Sequence, residues 1–278
     1  MAVVLGLMAA LAYGTSDFAA GLASRRFAAG PVTGVAQALG LLTAAVAVLL
    51  FPGIGPNAHA IEWGVVSGLG SALGTLSLYH GLSVARMSVV ATLSAVLTAV
   101  IPAIVDVAAL GGHLTIVAGA GIIIAIPAIG LVSWQPQTSD RHARDGLLYG
   151  CLAGLGFALL FIALDRAGTH AGAWPLLPGQ GVSLLLIAPF ALRSLTSGIP
   201  TRTVIALTLG AGVLSGVANL LFLAATGHGQ LAIVAVLTAL YPAVTVLLAR
   251  AFLSEDWTRL QATGLLTAGA AIVLVTAG

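Results

Sequence analysis

The chain contains no lysine and one cysteine, and only 6% of its 278 residues are charged. Each absence removes a class of function. Without lysine there is no phosphate-gripping P-loop side chain and no amine for a Schiff-base cofactor. The lone Cys151 allows neither an internal disulfide nor a thiolate metal cluster. No two histidines stand one turn apart beside an acid, the spacing of a zinc site, so neither metal nor cofactor is expected. The eight acids and ten arginines nearly cancel, so the basic pI does not point to a nucleic-acid partner. A water-soluble domain carries roughly 25% charged residues. With 59% hydrophobic residues and a mean hydropathy of +1.12, this chain has far more apolar surface than folding on itself can hide from water. Its solvent must be lipid. The first apolar stretch has no basic residues ahead of it and is long enough to cross a bilayer, so it is expected to be a helix and not a cleaved leader.

A membrane helix needs about 20 mainly apolar residues. That length divides the chain into ten spans, at 2–23, 31–51, 61–80, 88–109, 114–133, 146–164, 175–194, 203–226, 231–253 and 259–277. The breaks are turn chemistry, such as Gly30-Pro31, Pro52-Gly53-Ile54-Gly55-Pro56, Gly111-Gly112 and Gly198-Ile199-Pro200. Trp63, Trp134, Trp174 and Trp257 all fall at span ends, where an amphipathic indole prefers the lipid–water interface.

The most polar linker, residues 135–145, separates a first five-helix unit (1–134) from a second (146–278). Internal echoes accompany the division. Val96-Leu-Thr-Ala99 followed by Pro102 recurs as Val236-Leu-Thr-Ala239 followed by Pro242, an offset of 140 residues, and registers shifted by up to four residues also align. A repeat with an odd number of spans must enter the membrane from opposite sides in its two copies. The expectation is an all-α integral membrane fold of two inverted five-helix repeats around a central cavity, with a binding site between them. Loops are numbered here by the span they follow. The odd loops or their flanks hold nine of the ten arginines and the even loops only Arg166, so the positive-inside rule places the odd loops in the cytoplasm and both termini outside.

Several polar residues sit where lipid would penalise them. Asp17 lies in the first span, and Tyr13, Gly14, Asp17 and Gly21 share one helical face. An intramembrane carboxylate is a proton-coupling acid, a counter-charge for a substrate amine, or half of an ion pair with Arg25, Arg26 or Arg86. In the third span Ser67, Ser71, Thr75 and Tyr79 step by four, beside a second stripe of Gly70 and Gly74 suited to close helix packing. Ser215, Asn219, Phe222 and Thr226 make a comparable face in the eighth. Gln37 and Gln180 lie within the second and seventh. Pro102 and Pro242 each deprive a threonine carbonyl, that of Thr98 or Thr238, of its helical partner, and the pair reads as static kinks or as matched hinges. Tyr241 stands beside the second proline. The substrate-contacting set expected from these residues is Tyr13, Asp17, Gln37, Ser71, Thr75, Tyr79, Thr98, Asn219, Phe222 and Tyr241, with Pro102 and Pro242 as hinges.

Tyr13-Gly-Thr-Ser-Asp-Phe18 with Gly-Leu-Ala-Ser-Arg-Arg26 resembles the first-helix motif of bacterial members of the drug/metabolite transporter (DMT) superfamily, EamA type. The run from Val236 to Arg250, followed by Leu253-Ser-Glu-Asp-Trp-Thr258, is similar to the family's ninth helix and the loop after it. The resemblance covers nearly the whole chain. It implies a basket of ten helices around a cavity, with the fifth and tenth peripheral. The implied activity is movement, usually export, of small polar or amphipathic metabolites including amino acids. Family halves usually carry an acid after the fourth and ninth helices; Glu255 matches the second, while His113 stands at the first. The expected partners are a small-molecule substrate, the bilayer and a proton as candidate coupling ion, in a monomer or weak homodimer of the inner cell membrane. The competing functions are a lipid or lipid-linked sugar flippase, for which the cavity would open sideways to the bilayer, and a membrane transferase. The latter needs clustered acids for diphosphate and magnesium.

Overall fold

The computed structural model describes residues 1–24, 26–84, 87–132, 143–193, 199–253 and 259–277. Every regular element among them is helical: α1 (Ala2–Ser24), α2 (Ala29–Leu50), α3 (Ala58–Val84), α4 (Met87–Ala109), α5 (Ile116–Val132), α6 (Ala143–Ala167), α7 (Leu176–Arg193), α8 (Arg202–Thr226), α9 (Leu231–Thr238), α10 (Tyr241–Leu253) and α11 (Arg259–Ala277). Five of these, α1, α2, α6, α7 and α8, are long and apolar enough to cross a membrane by themselves. Apolar runs set the helices, because a backbone in lipid must satisfy its own hydrogen bonds. Span ends fall within four residues of the sequence expectation. Trp174 stands just before α7 and Trp63 in the second turn of α3, while Trp134 and Trp257 lie outside the described residues.

The ninth span is broken. α9 stops at Thr238, and the chain resumes as α10 at Tyr241, with Pro242 as its second residue. A proline there removes a donor from the first turn, where helices tolerate the loss. Pro102, in contrast, lies inside an unbroken α4. The two prolines, read from the sequence as a matched pair, sit in different local backbones.

Eight spans form a closed ring. Each packs on the next in the order α1, α8, α2, α7, α3, α6, α4, α9, and α9 with α10 returns to α1. α5 and α11 pack on each other outside this ring, with α5 against α4, α9 and α10. The ring maps onto itself when each span is replaced by the one five places along. The α1–α8 contact becomes α6–α3, α2–α8 becomes α7–α3, and α2–α7 becomes itself.

Individual contacts follow the same exchange. Gly6 faces Leu237 and Val234, and Gly150 faces Leu93 and Val90, every residue standing 144 positions from its counterpart. Gly68 on Gly179 and Val182 matches Gly212 on Ala36 and Leu39, with shifts of 144 for the glycines and 143 for their partners. The packing register, 143–144, lies at the far end of the registers within four residues of 140 that the sequence also aligns, and it sets Pro242 opposite Thr98 and not Pro102.

Small residues bring the walls together, as expected where lipid removes the hydrophobic drive between helices. An added Cβ at Gly70 would lie 2.7 Å from the Gly156 carbonyl oxygen, and one at Gly74 would lie 2.5 Å from the Phe157 ring. At the even-loop end, the turn after α2 is clasped to the turn before α7. Ile54 N donates to the His170 carbonyl at 2.9 Å, and Ala173 N to the Phe51 carbonyl at 2.9 Å. Gly53 (φ 57°) and Gly172 (φ 60°) meet at the centre of this clasp. A side chain at Gly53 would fall 2.5 Å from the His170 oxygen, and its backbone is left-handed, so glycine is required there.

Candidate substrate cavity

α1 turns Tyr13, Ser16 and Asp17 into the ring. Gly14, on the same face, lets α1 close on α10: a Cβ there would lie 2.5 Å from the Tyr241 carbonyl oxygen. α3 contributes Ser71, Thr75 and Tyr79; α2 contributes Thr33 and Gln37; α8 contributes Ser215 and Asn219. Thr98 of α4, Gln180 of α7 and Tyr241 of α10 complete the polar lining, and Phe157 and Phe161 of α6 supply aromatic surface. Nine of the ten expected contact residues thus face one cavity; the exception is Phe222. That side chain is fully buried and stacks on Phe161 with ring centres 4.0 Å apart at 19°. It supports the floor from behind, because Phe161 occupies the space between it and the cavity.

The polar groups are largely cross-braced. The Tyr13 hydroxyl donates to Asn219 Oδ1 at 2.8 Å, and Asn219 Nδ2 donates to the Ser215 carbonyl at 3.0 Å. Asn219 is therefore both a tie between helices and part of the lining. Gln37 Nε2 donates to Gln180 Oε1 across the α2–α7 contact. The two glutamines are 143 residues apart, so this bond lies on the exchange axis of the two halves. Ser183 Oγ donates to Ser71 Oγ at 3.3 Å. The Thr98 hydroxyl is spent on the Ser94 carbonyl at 2.8 Å, one turn back.

Two groups stand apart from this bracing. The buried Tyr241 hydroxyl has no hydrogen bond of good geometry, although the equally unpartnered Ser94 hydroxyl lies within its reach. The Asp17 carboxylate, for which no hydrogen bond or ion pair is seen among the described residues, shares the cavity lining with the phenols of Tyr13, Tyr79 and Tyr241. Arg25 and Arg86, two of its proposed ion-pair partners, lie outside the described residues, and Arg26 is exposed. No arginine or histidine lines the cavity among the described residues, and no group of three metal-ligating side chains occurs among them.

The free volume is about 70 Å³, room for on the order of five waters. At the odd-loop side the same chamber adjoins a larger vestibule of about 540 Å³, and both are lined by Thr33 and Tyr79. At the even-loop side the Phe161–Phe222 stack and the loop clasp close it.

Several lining residues were not in the expected set: Ser16, Thr33, Ser215, Gln180, Phe157 and Phe161. Gln180 carried a usable signal, its partner glutamine in the other half. The phenylalanines carried none, since an aromatic pair one turn apart reads equally well as core. Asp106 was also missed. It is buried near the end of α4, and its Oδ2 accepts from Ala232 N at 2.8 Å, capping the start of α9. An acid near a helix C-terminus opposes the helix dipole, which was the available hint that it serves another helix.

A ring of apolar helices around a polar chamber is the architecture of an integral membrane protein. The model of the EamA-like transporter family, part of the DMT superfamily, matches residues 144–277, so the second half of the chain is similar to that family. No curated protein matches it. A solved structure described only as the crystal structure of a protein superposes with a TM-score of 0.78 over 99% of this chain and 96% of that one, at 17% identity. At that identity the likeness shows the fold alone.

Proposed function

We propose that the chain is a secondary transporter that exports small amine-bearing metabolites or drugs by alternating access between two inverted five-helix halves, residues 1–134 and 146–278. The observation that carries this reading is the clustering of Asp17, Tyr13, Tyr79, Asn219 and Tyr241 from four helices around one chamber enclosed by the ring. A carboxylate kept in such a place is the natural counter-charge for a substrate amine, and it is also the one group in the cavity able to exchange that amine for a proton. The braced hydroxyls and amides hold the chamber's shape, and the Tyr241 hydroxyl, with no hydrogen bond of good geometry, can turn from Ser94 to a polar substrate group.

Pro102 and Pro242 act at different levels here. The broken backbone before Pro242 is the bending point, and Pro102 shapes a continuous wall. The arginine distribution supports an inner-membrane orientation with the odd loops, and so the vestibule, in the cytoplasm and both termini outside. A C-terminal reporter active only in the cytoplasm is expected to stay silent.

The function is tested by comparing export profiles of cells overexpressing the protein with those carrying Asp17→Asn, followed by flux of the exported compounds in proteoliposomes. Loss of flux and of its pH dependence in a folded Asp17→Asn protein is the expected result. Unchanged flux and unchanged pH dependence would remove Asp17 from the mechanism.

A further inference from the structure

A second hollow adjoins the chamber on its even-loop side. It holds about 10 Å³, at the limit for a single water. Ser71, Leu160, Gln180 and Asn219 line both spaces. The void's remaining walls, Ser67, Leu164, Leu176 and Gly179, stand toward the even-loop ends of α3, α6 and α7. The correspondence between helices relates the two spaces: it is 144 residues for α1 with α6 and for α3 with α8, and 143 for α2 with α7. Thr33 and Ala36 in the chamber answer to Leu176 and Gly179 in the void, Ala211 to Ser67, and Ser16 to Leu160. Seven of the eight void residues are counterparts of chamber residues, and the eighth, Leu164, answers to Ala20, one turn of α1 beyond Ser16. The void is the chamber's image, closed.

The two spaces differ in chemistry. Ser16, Thr33 and Tyr79 put hydroxyl groups on the chamber's odd-loop half, and the matching residues are Leu160, Leu176 and Leu223. Leu78 lines the chamber, whereas its counterpart Phe222 is buried. Leu160, Leu164, Leu176, Phe222 and Leu223 belong to one core cluster, and none is more than 6% exposed. Leucines that close on one another leave water nothing to bond, so burial of apolar surface keeps this half shut. The hydroxyls of the other half can be hydrated, so separating its walls costs less.

We infer that the small void is the even-facing half of the substrate site, and that Leu176, with Leu160 and Leu223, is the dry gate that holds it shut. The inference rests on the transporter reading above and deepens it. Cargo held at Asp17 leaves between Ser67 and Leu176, past Gln180 and Asn219, which line both halves. Phe222, buried here, then faces the opened half as Leu78 faces the chamber. Because one half is lined by hydroxyls and its image by leucines, the odd-facing arrangement is the resting one.

The test reads the accessibility of single cysteines in a Cys151→Ser background, with a membrane-impermeant methanethiosulfonate applied to sealed vesicles of either orientation. Ser67→Cys, in the void, is expected to react slowly and only from the even-loop side. Leu176→Thr gives the void the residue that its counterpart carries. It should raise that rate about tenfold, the least expected from withdrawing one buried leucine, and slow the odd-side labelling of Ala211→Cys. Labelling of Ser67→Cys from the odd-loop side, or an even-side rate that Leu176→Thr leaves unmoved, would overturn the gate. Should Leu176→Thr not fold, Thr33→Leu makes the reciprocal change in the chamber. By drying the odd-facing half it should raise the same even-side rate, and an unmoved rate refutes the proposal. Labelling reads access and not flux, so the two levels separate: intact flux in Asp17→Asn defeats the carboxylate's role, while side-specific labels here keep the half-site.

Discussion

Gly156→Ala is the sharpest test of how the cavity wall is built. A Cβ at this position would lie 2.7 Å from Gly74 Cα and 2.8 Å from the Gly70 carbonyl oxygen, and nearer still to Gly74 N. All three are backbone atoms, so no rotamer change relieves the clash. Ordinary contact begins at 3.4 Å, so α3 and α6 must separate by about 1 Å along their shared face to clear the nearest of these atoms. Overpacking of this kind costs about 1–3 kcal/mol. Replacing a helical glycine by alanine returns roughly 0.5–1 kcal/mol. The net expectation is a loss of about 1–2 kcal/mol, read as the midpoint of unfolding in mixed detergent–SDS titrations. Gly119→Ala in α5 is the control: nothing lies within 4 Å of the point its Cβ would occupy, so it should be neutral or stabilising. Because Ser71, Thr75 and Phe157 ride on the same two helices, flux should fall in Gly156→Ala and not in Gly119→Ala. A Gly156→Ala protein as stable as Gly119→Ala would refute the claim that glycine-mediated backbone contact fixes this wall.

Three further perturbations address the cavity and its supports. Tyr13→Phe leaves Asn219 Oδ1 without its donor and should cost about 1–3 kcal/mol, with the larger effect on substrate affinity; an unshifted unfolding midpoint and an unchanged KM would show that this bond is immaterial. Phe222→Ala removes the backing of Phe161 and should destabilise by about 3–5 kcal/mol, while admitting bulkier amines in those molecules that fold; unchanged size selectivity would deny Phe222 its role under the floor. Asp106→Ala strips the cap from Ala232 N and should cost about 0.5–2 kcal/mol, with faster hydrogen exchange at the start of α9; unaltered exchange there would place the acid's role elsewhere.

The spans were legible because lipid leaves a chain few options: a run of about 20 apolar residues is a helix, and Gly-Pro clusters end it. The break between α9 and α10 was not legible. Pro102 and Pro242 follow identical four-residue strings, so local sequence assigns them the same fate. What differs is the surroundings. Tyr241 and Val244 pack so near Gly14 of α1 that a Cβ there would lie 2.5 and 2.6 Å from them, a contact formed only in the folded ring. Tertiary packing decided what propensity left open.

The site was legible to the extent that lipid repels polar groups. Asp17, Gln37, Asn219 and the hydroxyl stripe of α3 had to face inward, and one cavity gathers them. Their individual tasks were not legible, because a hydroxyl in a helix has two ways to be satisfied. Thr98 bonds back to its own helix, whereas Ser71 reaches Ser183 on another, and nothing in their sequence neighbourhoods distinguishes them. Phe222 shows the converse error, an aromatic on a polar stripe that serves the neighbouring ring and not the cavity. The repeat register is the same lesson at larger scale. Identities favoured 140, but the residues that matter for packing are those small enough to touch, and the pairs formed by Gly6, Gly150, Gly68 and Gly212 place the halves 143–144 apart. Where lipid surrounds every helix, similarity of letters is cheap and closeness of approach is not, so contacts between glycines and their partners define which positions correspond. By that measure Gln37 and Gln180 are equivalent, and their mutual bond lies where the two sets of helices correspond to each other.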